Sequence, residues 1–587
     1  MELFIDLFEE QVRIKGDKAA IVDREGSRST SYRDLDALSN QAAGLIADKG
    51  VCKGAFLPVL MPRGMEYIAA LLGVFKSGCV AVPLSLSYPE ERINYIRTQS
   101  DAPFVVDEAF IEHAKKENIP APRVEVTEED WAFAVYTSGS TGVPKGIVHN
   151  HKSLVHSSIR MGQGVELAED DIYLSSAPFH FVAIVIDIFM NLVKGTTVHI
   201  NSDQNMRDIR KIEAYVRRHG ITALYLSPQL LKLFHENSGT VKRVITGSER
   251  VSNICGHGYE LYNIYGSSET TPPATFFKVD REYENTPIGK PFPGMQIYLI
   301  KEDGSLAGPG ETGEICIAGP VAQGYLHQPE KTKEVFCENP FAKGEDDRVL
   351  YHSNDLGRFL PDGNLMFVNR KDWMVKINGQ RVETGEIEAL MNLLPYVKTG
   401  VVKGFENQYG QTYLCAYFQL KEEADVASPE KEIRKELKKK LPDYMIPQFF
   451  VHMEEFPLNQ NGKIDRLSLK EPDLSSFRKE YEAPRTENEE KLCHAFEKIL
   501  KIESVGREDD FFSLGGDSIK ILMLLECCGE LAIAPAQVLE GKTPAGIAAL
   551  IEEADGEADT FVDLYDGIEK GYAGERKIYP LSDSQLG

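Results

Sequence analysis

Apolar runs and amphipathic stretches alternate along the first part of the chain. Apolar residues near helical spacing predict a helix over residues 1–20, and the apolar segment 19–23 predicts a short strand. Helical patterns at 35–49 and 67–76 then alternate with extended segments. Alternation of this kind, with Gly and Pro between the elements, is typical of a largely parallel sheet covered by helices. We therefore predict an α/β fold with a large, subdivided N-terminal domain.

The pattern changes near residue 370, where a compact α+β segment with a charged helix at 430–441 begins. A stretch rich in Pro, Ser and charge indicates a linker before a mainly helical segment. The predicted domains are 1–369 as the large domain, 370–475 as a small C-terminal subdomain, 476–485 as the linker, 486–555 as the helical domain, and 556–587 as an acidic linker with the start of a further domain.

The composition is that of a globular protein, with 42% hydrophobic residues. A formal net charge of −25 argues against a nucleic-acid partner, which would require a basic face. Nine cysteines without a C-x-x-C pair indicate reduced thiols and a cytoplasmic location. The longest apolar stretch, 181–193, is interrupted by Asp187 and Asn191 and is too short to span a bilayer, so we expect no membrane partner.

A loop rich in Gly, Ser and Thr follows the apolar segment 131–135, which we predict to be a buried strand. The loop reads YTSGSTGVPKG over residues 136–146. Its free N–H groups and hydroxyls can surround a polyphosphate, to which Lys145 adds a positive charge. The spacing does not fit the Walker A pattern. We predict that a polyphosphate is bound here by Thr137, Ser138, Gly139, Ser140, Thr141, Gly142 and Lys145.

This loop resembles the phosphate loop of the adenylate-forming superfamily, which holds acyl-CoA synthetases, luciferases and the adenylation domains of nonribosomal peptide synthetases. The segment NIYGSSET at 263–270 resembles the N-x-Y-G-x-T-E motif of those adenylation domains. The segment YHSNDLG at 351–357 stands where they have Y-x-T-G-D-L, and NRKD at 369–372 replaces G-R-x-D. The motifs follow the order expected of an adenylation domain as far as about residue 469.

The resemblance implies a nucleotide site. The phenol of Tyr265 can stack on a purine, and the amide of Asn263 can pair with its amino edge. Asp355 is expected to accept the ribose hydroxyls, and Glu269 to be a catalytic residue and Mg²⁺ ligand beside Lys145. The other AMP-binding residues implied are Gly247, Ser248, Glu249, Gly266, Ser267, Ser268 and Arg370.

The small subdomain contributes further expected roles. Asp372 is the expected hinge. The segment KINGQRVETGEIE at 376–388 resembles the family's K-I-x-G-x-R-I-E-x-G-E-I-E, in which Gly379 would let a thiol arm pass close to the backbone. Lys463 follows an Asn-Gly turn and is the expected catalytic cation, which would bridge the substrate carboxylate and the α-phosphate.

The helical domain contains LGGDS at 514–518, which resembles the attachment motif of peptidyl carrier proteins. The resemblance implies a four-helix bundle with 4′-phosphopantetheine on Ser518, added by a phosphopantetheinyl transferase. The segment YPLSDSQ at 579–585 resembles the opening of a condensation domain, the expected downstream partner. We further expect an initiation module, and a small MbtH-like helper protein is a possible additional partner.

The expected substrate pocket lacks the Asp that adenylation domains use to pair with the ammonium of an amino acid. Val182, or Phe181 with one inserted residue, occupies that position, and Asp187 falls more than a helical turn away. A buried ammonium without a partner costs on the order of several kcal/mol. The predicted pocket residues are His180, Phe181, Val182, Ala183, Ile186, Gln229, Thr246, Ile264 and Pro272.

We therefore predict a loading module that adenylates a carboxylic acid with ATP and Mg²⁺ and transfers it to the thiol on Ser518. A fatty acid is expected first, then an aryl, α-keto or α-hydroxy acid. The alternatives are an amino-acid-activating module, in which an acid from another strand pairs with the ammonium, and an enzyme like acyl-CoA ligases. A decayed scaffold is a further alternative, since Ser353 and Asn354 depart from the family pattern, but Lys145, Glu269, Asp355 and Lys463 argue against it.

Overall fold

The structure is a computed structural model of the chain, which divides into two compact units, Met1–Glu471 and Pro472–Gly587. Within the first unit we call the part before residue 370 the large subdomain and the part after it the small subdomain. The structure describes residues 2–138, 144–202, 205–206, 208–235, 239–271, 273–371, 374–377, 379–406, 412–421, 426, 428–457, 464–472, 481–500, 502, 504–511, 514, 516, 518–531, 533 and 535–552.

Helices and strands alternate through the large subdomain, as the hydrophobic pattern predicts. Its helices are α1 Phe4–Lys15, α2 Tyr32–Asp48, α3 Met65–Lys76, α4 Glu90–Gln99, α5 Glu108–Glu117, α6 His151–Gly164, α7 Met190–Lys194, α8 Ile209–His219, α9 Pro228–Leu231 and α10 Pro329–Val335. Its strands are β1 Ala19–Asp23, β2 Arg28–Ser31, β3 Phe56–Val59, β4 Val80–Pro83, β5 Trp131–Thr137, β6 Lys145–Asn150, β7 Ile172–Ser175, β8 Thr197–Ile200, β9 Ala223–Tyr225, β10 Arg243–Gly247, β11 Glu260–Tyr265, β12 Thr275–Val279, β13 Lys290–Pro291, β14 Gln296–Ile300, β15 Gly313–Ala318, β16 Gly324–Tyr325, β17 Phe336–Glu338, β18 Val349–Phe359 and β19 Leu365–Arg370.

Two sheets of the large subdomain have parallel centres. One is nine-stranded, with the order β13-β12-β11-β10-β9-β7-β8-β1-β2. Its six central strands, from β11 to β1 in this order, pair in parallel, and β2, β12 and β13 at the two edges pair antiparallel. The other has the order β16-β6-β5-β4-β3, in which β3, β4 and β5 are parallel. The prediction of an α/β fold is therefore confirmed.

A third sheet of the large subdomain is entirely antiparallel and was not predicted. It has the order β14-β15-β18-β17, with β19 also paired to β18. The long strand β18 contains Asp355, which lies opposite Arg370 at the end of β19. This sheet therefore places the predicted ribose-binding carboxylate close to residue 370, where the small subdomain begins.

The hairpin of β5 and β6 closes the Gly-rich loop. Thr137 is paired with Lys145 across the two strands, so β5 and β6 flank the Gly-rich segment directly. The strand prediction for 131–135 is correct, although Trp131 is 43% exposed because β5 begins at the surface. The following residues of β5 are buried.

The small subdomain is an α+β unit, as predicted. It contains β20 Val375–Ile377, β21 Gln380–Val382, α11 Thr384–Asn392, β22 Val397–Glu406, β23 Thr412–Leu420, α12 Pro429–Lys440 and β24 Phe449–His452. Strands β20 and β21 form a hairpin, and β22, β23 and β24 form a separate sheet. Ile387 and Met391 of α11 are fully buried in a core with Val402, Leu414 and Ile433. This core gives the subdomain a hydrophobic centre of its own.

The second unit is helical where the structure describes it. Its helices are α13 Glu487–Leu500, α14 Ser518–Cys527, α15 Pro535–Gly541 and α16, residues 544–552. Leu492 and Phe496 of α13 and Leu524 of α14 are fully buried. The exact domain boundaries given above stay predictions.

Candidate active site

Lys145 and Glu269 meet in a buried cluster of the large subdomain. Lys145 begins β6, and Glu269 lies in the short helical turn Ser268–Thr270 after β11. The Lys145 Nζ is 3.2 Å from the Glu269 Oε1. The hydroxyl of Tyr325 donates to the same carboxylate oxygen at 2.9 Å and lies 3.1 Å from the Lys145 Nζ. Because Glu269 is fully buried, its charge depends on these neighbours.

Arg381 from the small subdomain completes this cluster. Its Nη1 lies 2.9 Å and 3.0 Å from the two carboxylate oxygens of Glu269. Its Nη2 donates to Glu383 at 2.7 Å. Burial by itself would raise the pKa of Glu269, but the charges of Arg381 and Lys145 hold this pKa well below its ordinary value. Arg381 had no predicted role, although it lies in the segment 376–388, which resembles the family motif.

We expect Glu269→Ala to destabilise the first unit by about 3–5 kcal/mol, because it leaves the buried Lys145 cation without its carboxylate and Arg381 with one partner fewer. The measurement is the difference in free energy of unfolding from urea titrations. The matched control is Glu260→Ala, which removes a half-exposed ion pair with Lys278 and should cost less than about 1 kcal/mol. Equal losses in the two variants would contradict this electrostatic role.

Tyr265, Asp355 and Arg370, which are predicted to bind the nucleotide, contact one another. The Tyr265 hydroxyl donates to the Asp355 Oδ2 at 2.5 Å, and the Arg370 guanidinium pairs with the other oxygen of the carboxylate. Burial and the nearby Asp355 raise the pKa of Tyr265 well above its ordinary value, so the ring stays a neutral phenol. Asn263 is buried and donates from Nδ2 to the carbonyl of Pro287 at 2.9 Å. One donor of its amide is therefore used within the protein.

The residues before Asp355 form hydrogen bonds that fix the backbone there, although they depart from the family motif. Asn354 stands where the family has Gly and adopts φ of 61°, a left-handed conformation that Asn tolerates better than most residues. Ser353 stands where the family has Thr, and its hydroxyl donates to the carbonyl of Ile315 at 2.6 Å and accepts from the Asp355 N–H at 3.0 Å. Asn354 thus adopts a left-handed backbone that glycine also tolerates, and Ser353 supplies a hydroxyl as threonine does.

The segment 246–249 approaches the hairpin of the small subdomain. At Gly247 a Cβ would lie 2.3 Å from the carbonyl oxygen of Ile264, so no larger residue fits without a shift. The Gly379 N–H donates to the Glu249 carboxylate at 2.5 Å, and Gly379 has φ of 78°, which favours glycine. Gln229 donates to the same carboxylate at 3.0 Å. Gly379 therefore lies against the predicted nucleotide site.

The two sides of the site are electrostatically connected. Lys376 of β20 lies close enough to Asp355, Arg370, Arg381 and Glu249 to feel all four charges. Burial lowers its pKa from the ordinary value of a lysine. The hairpin of the small subdomain thus faces both the carboxylate predicted for the ribose and the cluster around Glu269.

The predicted acyl pocket has a buried apolar wall. Val182, Ile186 and Ile264 are nearly inaccessible, and Thr246 is fully buried. Phe181 and Ala183 are half-buried on the same segment. Burial, together with the charges of Arg63 and Arg92, lowers the pKa of His180 to about 3, so this imidazole is neutral. The pocket edge at His180 is therefore near two guanidinium groups.

Asp187 is the acid on the segment that carries Val182, and its carboxylate has partners within the protein. It accepts hydrogen bonds from the Tyr173 hydroxyl at 3.0 Å, the Ser175 hydroxyl at 2.9 Å and the Ala177 N–H at 2.7 Å. Burial raises its pKa. The carboxylate therefore fixes the loop after β7.

Several predicted site residues lie outside the described residues. These are Gly139, Ser140, Thr141, Gly142, Pro272, Asp372 and Lys463, and the predicted condensation-domain opening at 579–585. Ser138, at the edge of the described loop, accepts from the Glu383 N–H at 3.0 Å and donates to the carbonyl of Arg381 at 2.9 Å. In the second unit, Ser518 is the first residue of α14. The roles assigned to individual site residues stay predictions.

The α/β scaffold carries the pair of Lys145 and Glu269 and the pair of Tyr265 and Asp355, and a small second subdomain contacts this site. This arrangement fits the class of adenylate-forming enzymes. Sequence comparison agrees with this class. The family described as AMP-binding enzyme matches residues 8–326, more than half of the chain, and its C-terminal domain matches 386–463. The family described as phosphopantetheine attachment site matches residues 490–551. The chain belongs to the AMP-binding enzyme family, and its adenylation domain is followed by a carrier domain.

The chain is similar to modules of nonribosomal peptide synthetases. It is 36% identical to bacitracin synthase 1 of Bacillus licheniformis over 88% of its own length, but it spans only 10% of that relative. The solved holo-PA1221, a nonribosomal peptide synthetase protein with adenylation and carrier domains, matches 94% of the chain and 96% of its own, with a TM-score of 0.78 at 23% identity. The four-domain synthetase holo-AB3403, solved with AMP and glycine, matches 94% of the chain and 43% of its own, with a TM-score of 0.57 at 26% identity.

These matches confirm the predicted class and its cofactors. Enzymes that bind AMP in this way use ATP and Mg²⁺, and the attachment domain carries 4′-phosphopantetheine. The described helices include none with the length and apolar composition needed to cross a membrane.

Proposed function

We propose that the chain activates a carboxylic acid in two half-reactions. In the first, an oxygen of the substrate carboxylate attacks the α-phosphorus of ATP, the bond to the β-phosphate oxygen breaks, and pyrophosphate leaves. In the second, AMP leaves the acyl carbon and a thioester forms. Ser518 would hold the phosphopantetheine, whose thiol would supply the sulfur of the new bond and give up its proton. The observation that carries this proposal is the convergence of Lys145, Glu269 and Arg381 beside Tyr265 and Asp355.

The nucleotide roles follow from the charges that the site provides. Lys145, which begins β6 just after the Gly-rich loop, would pair with phosphate oxygens. Asp355 has two carboxylate oxygens, which now accept from Tyr265 and Arg370 and can accept from ribose hydroxyls instead. Lys463 supplies a cation where oxygen attacks phosphorus, which stabilises the charge that develops there.

The residues present fit a Mg²⁺ ion. Glu269 is a buried carboxylate that remains ionised, and a hard oxygen ligand of this kind suits the ion. When bound, Mg²⁺ neutralises charge on the phosphates. Arg381 approaches both oxygens of Glu269 in this structure, so the protein itself provides an alternative cation for the same carboxylate.

We propose that the acid lacks an α-ammonium group, with a fatty acid as the first candidate and aryl, α-keto and α-hydroxy acids after it. Val182 is buried where a pairing carboxylate would be needed, and Asp187 is already occupied by three donors. His180 is neutral and offers no negative charge to a nearby ammonium. An amino-acid substrate is the second candidate, because the similar synthetase holo-AB3403 was solved with glycine and AMP.

ATP–pyrophosphate exchange across a panel of acids tests both the activity and the substrate class. We expect exchange with at least one fatty, aryl, keto or hydroxy acid, and little exchange with its α-amino analogue. Matched pairs such as 2-hydroxy-4-methylpentanoate and leucine differ only at the α-substituent and serve as the control. Strong exchange with a proteinogenic amino acid and none with the other acids would overturn the substrate proposal. Absence of exchange with every acid would instead favour a decayed scaffold.

The carrier domain distinguishes the proposed module from a free-standing acyl-CoA ligase. If the chain loads its own Ser518, acyl transfer should require prior modification by a phosphopantetheinyl transferase and no added CoA thiol. We propose two partners, the phosphopantetheinyl transferase and a downstream condensation domain. We propose a small MbtH-like helper protein as a third partner. Greater activity of the chain purified together with the helper than of the chain purified without it would identify this partner.

A further inference from the structure

A buried ion pair joins the two subdomains at a distance from the nucleotide site. Arg92 lies on α4 of the large subdomain, and Glu386 lies in the first turn of α11 of the small subdomain. The Arg92 Nη1 is 3.0 Å from the Glu386 Oε1, and each side chain is only 1% exposed. This pair is therefore withdrawn from solvent where the two subdomains meet.

Aromatic side chains from both subdomains surround the pair. The Arg92 guanidinium lies over the ring of Tyr88 at 5.2 Å, and Tyr88 in turn packs edge-on against His180 at 5.0 Å. Tyr444 of the small subdomain contacts Phe181 with ring centroids 6.5 Å apart. The ion pair is thus continuous with the segment that we assign to the acyl pocket.

The same orientation of the small subdomain docks its hairpin on the nucleotide site. The Gly379 N–H donates to Glu249, the Glu383 N–H donates to Ser138, and Arg381 pairs with Glu269. Gly379 is the residue past which the thiol arm is expected to run. A small subdomain held in this orientation therefore presents the thiol route to the acyl-adenylate.

The free energy of a buried ion pair suits it to stabilise one orientation of the small subdomain over another. Two charges that leave water gain little net stability, but removal of one leaves the other buried without compensation. A hinge rotation that separates α4 from α11 would return both groups to water. Loss of one partner therefore penalises the docked orientation and leaves the separated one almost unaffected.

We propose that Arg92 and Glu386 are positioning residues that hold the small subdomain in the orientation for thioester formation. The proposal rests on the two half-reactions proposed above and on a hinge near Asp372. Neither side chain touches the reacting groups; both act through the placement of β20 and β21 against the large subdomain.

The experiment compares E386Q and R92M with the wild type in each half-reaction. Loading of phosphopantetheinylated Ser518 from supplied acyl-adenylate should slow by roughly tenfold or more, while ATP–pyrophosphate exchange stays within about twofold. The matched control is E388Q on the same helix. Glu388 pairs with Arg466 at 2.6 Å and accepts from the Val402 N–H, both within the small subdomain, so its loss should not change the ratio of the two rates.

Hydrogen exchange gives a second measurement that does not depend on activity. The backbone amides of Gly379 and Glu383 donate to side chains of the large subdomain in the docked orientation. Peptides that cover these amides should exchange faster in E386Q and R92M than in the wild type or E388Q, while peptides of the α11–β22 core stay protected. R92K, which keeps the charge, should restore part of the protection.

Unchanged loading, or unchanged protection of the hairpin, in E386Q and R92M would overturn the proposal. An equal fall in loading and pyrophosphate exchange would also overturn it, because general damage to the fold affects both half-reactions. If the wild type itself shows no exchange with any acid, the proposed function fails, and the hairpin protection still decides whether the ion pair sets the orientation.

Discussion

Ser518→Ala will abolish acyl loading of the chain and leave ATP–pyrophosphate exchange at the wild-type level. Ser518 is the first residue of α14, in a domain that matches the phosphopantetheine attachment family. Without this hydroxyl no phosphopantetheine can be attached, and the second half-reaction has no thiol. The first half-reaction uses residues of the other unit and should continue.

Intact-mass spectrometry after incubation with a phosphopantetheinyl transferase measures the modification directly. The control is Ser513→Ala, which removes a neighbouring hydroxyl of the same segment and should leave the mass increase unchanged. A phosphopantetheine mass increase on Ser518→Ala equal to that of the wild type would show that another residue is the attachment site.

Lys463→Ala is expected to slow adenylation by roughly 10²–10³-fold, which is the usual cost of losing one group that stabilises charge in the transition state. The ammonium is expected to meet the negative charge that develops as the carboxylate oxygen attacks the α-phosphate. Thioester formation from supplied adenylate should be much less affected, because that step does not form the bond to phosphorus. Single-turnover rates of the two half-reactions measure this difference.

The matched control for Lys463 is Lys470→Ala. Lys470 lies seven positions further along the same segment and is exposed, so its loss removes one positive charge without removing the proposed catalytic group. Adenylation at the wild-type rate in Lys463→Ala, or an equal fall in both lysine variants, would exclude the catalytic role of Lys463.

The sequence by itself determined the class of protein and the order of its domains. A glycine-rich loop with Lys145, the turn with Glu269 and the serine of LGGDS are local features, because neighbouring residues create each of them. The alternation of apolar and amphipathic segments similarly predicted an α/β fold, since burial of one helix face or one strand gives a periodic pattern. Local signals of this kind survive in a single sequence.

The antiparallel sheet could not be predicted from such local patterns. Strand β18 pairs with β17 and β19, its neighbours in the sequence, but also with β15, from which residues 319–348 separate it. The sheet explains why Asn354 and Ser353 can replace the usual residues. The left-handed backbone of Asn354 and the bond from Ser353 to Ile315 depend on the paired strand, which the motif itself does not contain.

Only the tertiary structure decided the partners of the charged residues. Arg381 and Glu269 are 112 positions apart, and Arg92 and Glu386 are 294 positions apart, so no spacing rule connects either pair. Each of these charges alone resembles a solvated surface residue, as most charged residues are. In these pairs the charges are buried instead, and a charge that is removed from water must be paired. The docking of the small subdomain determines which charges meet.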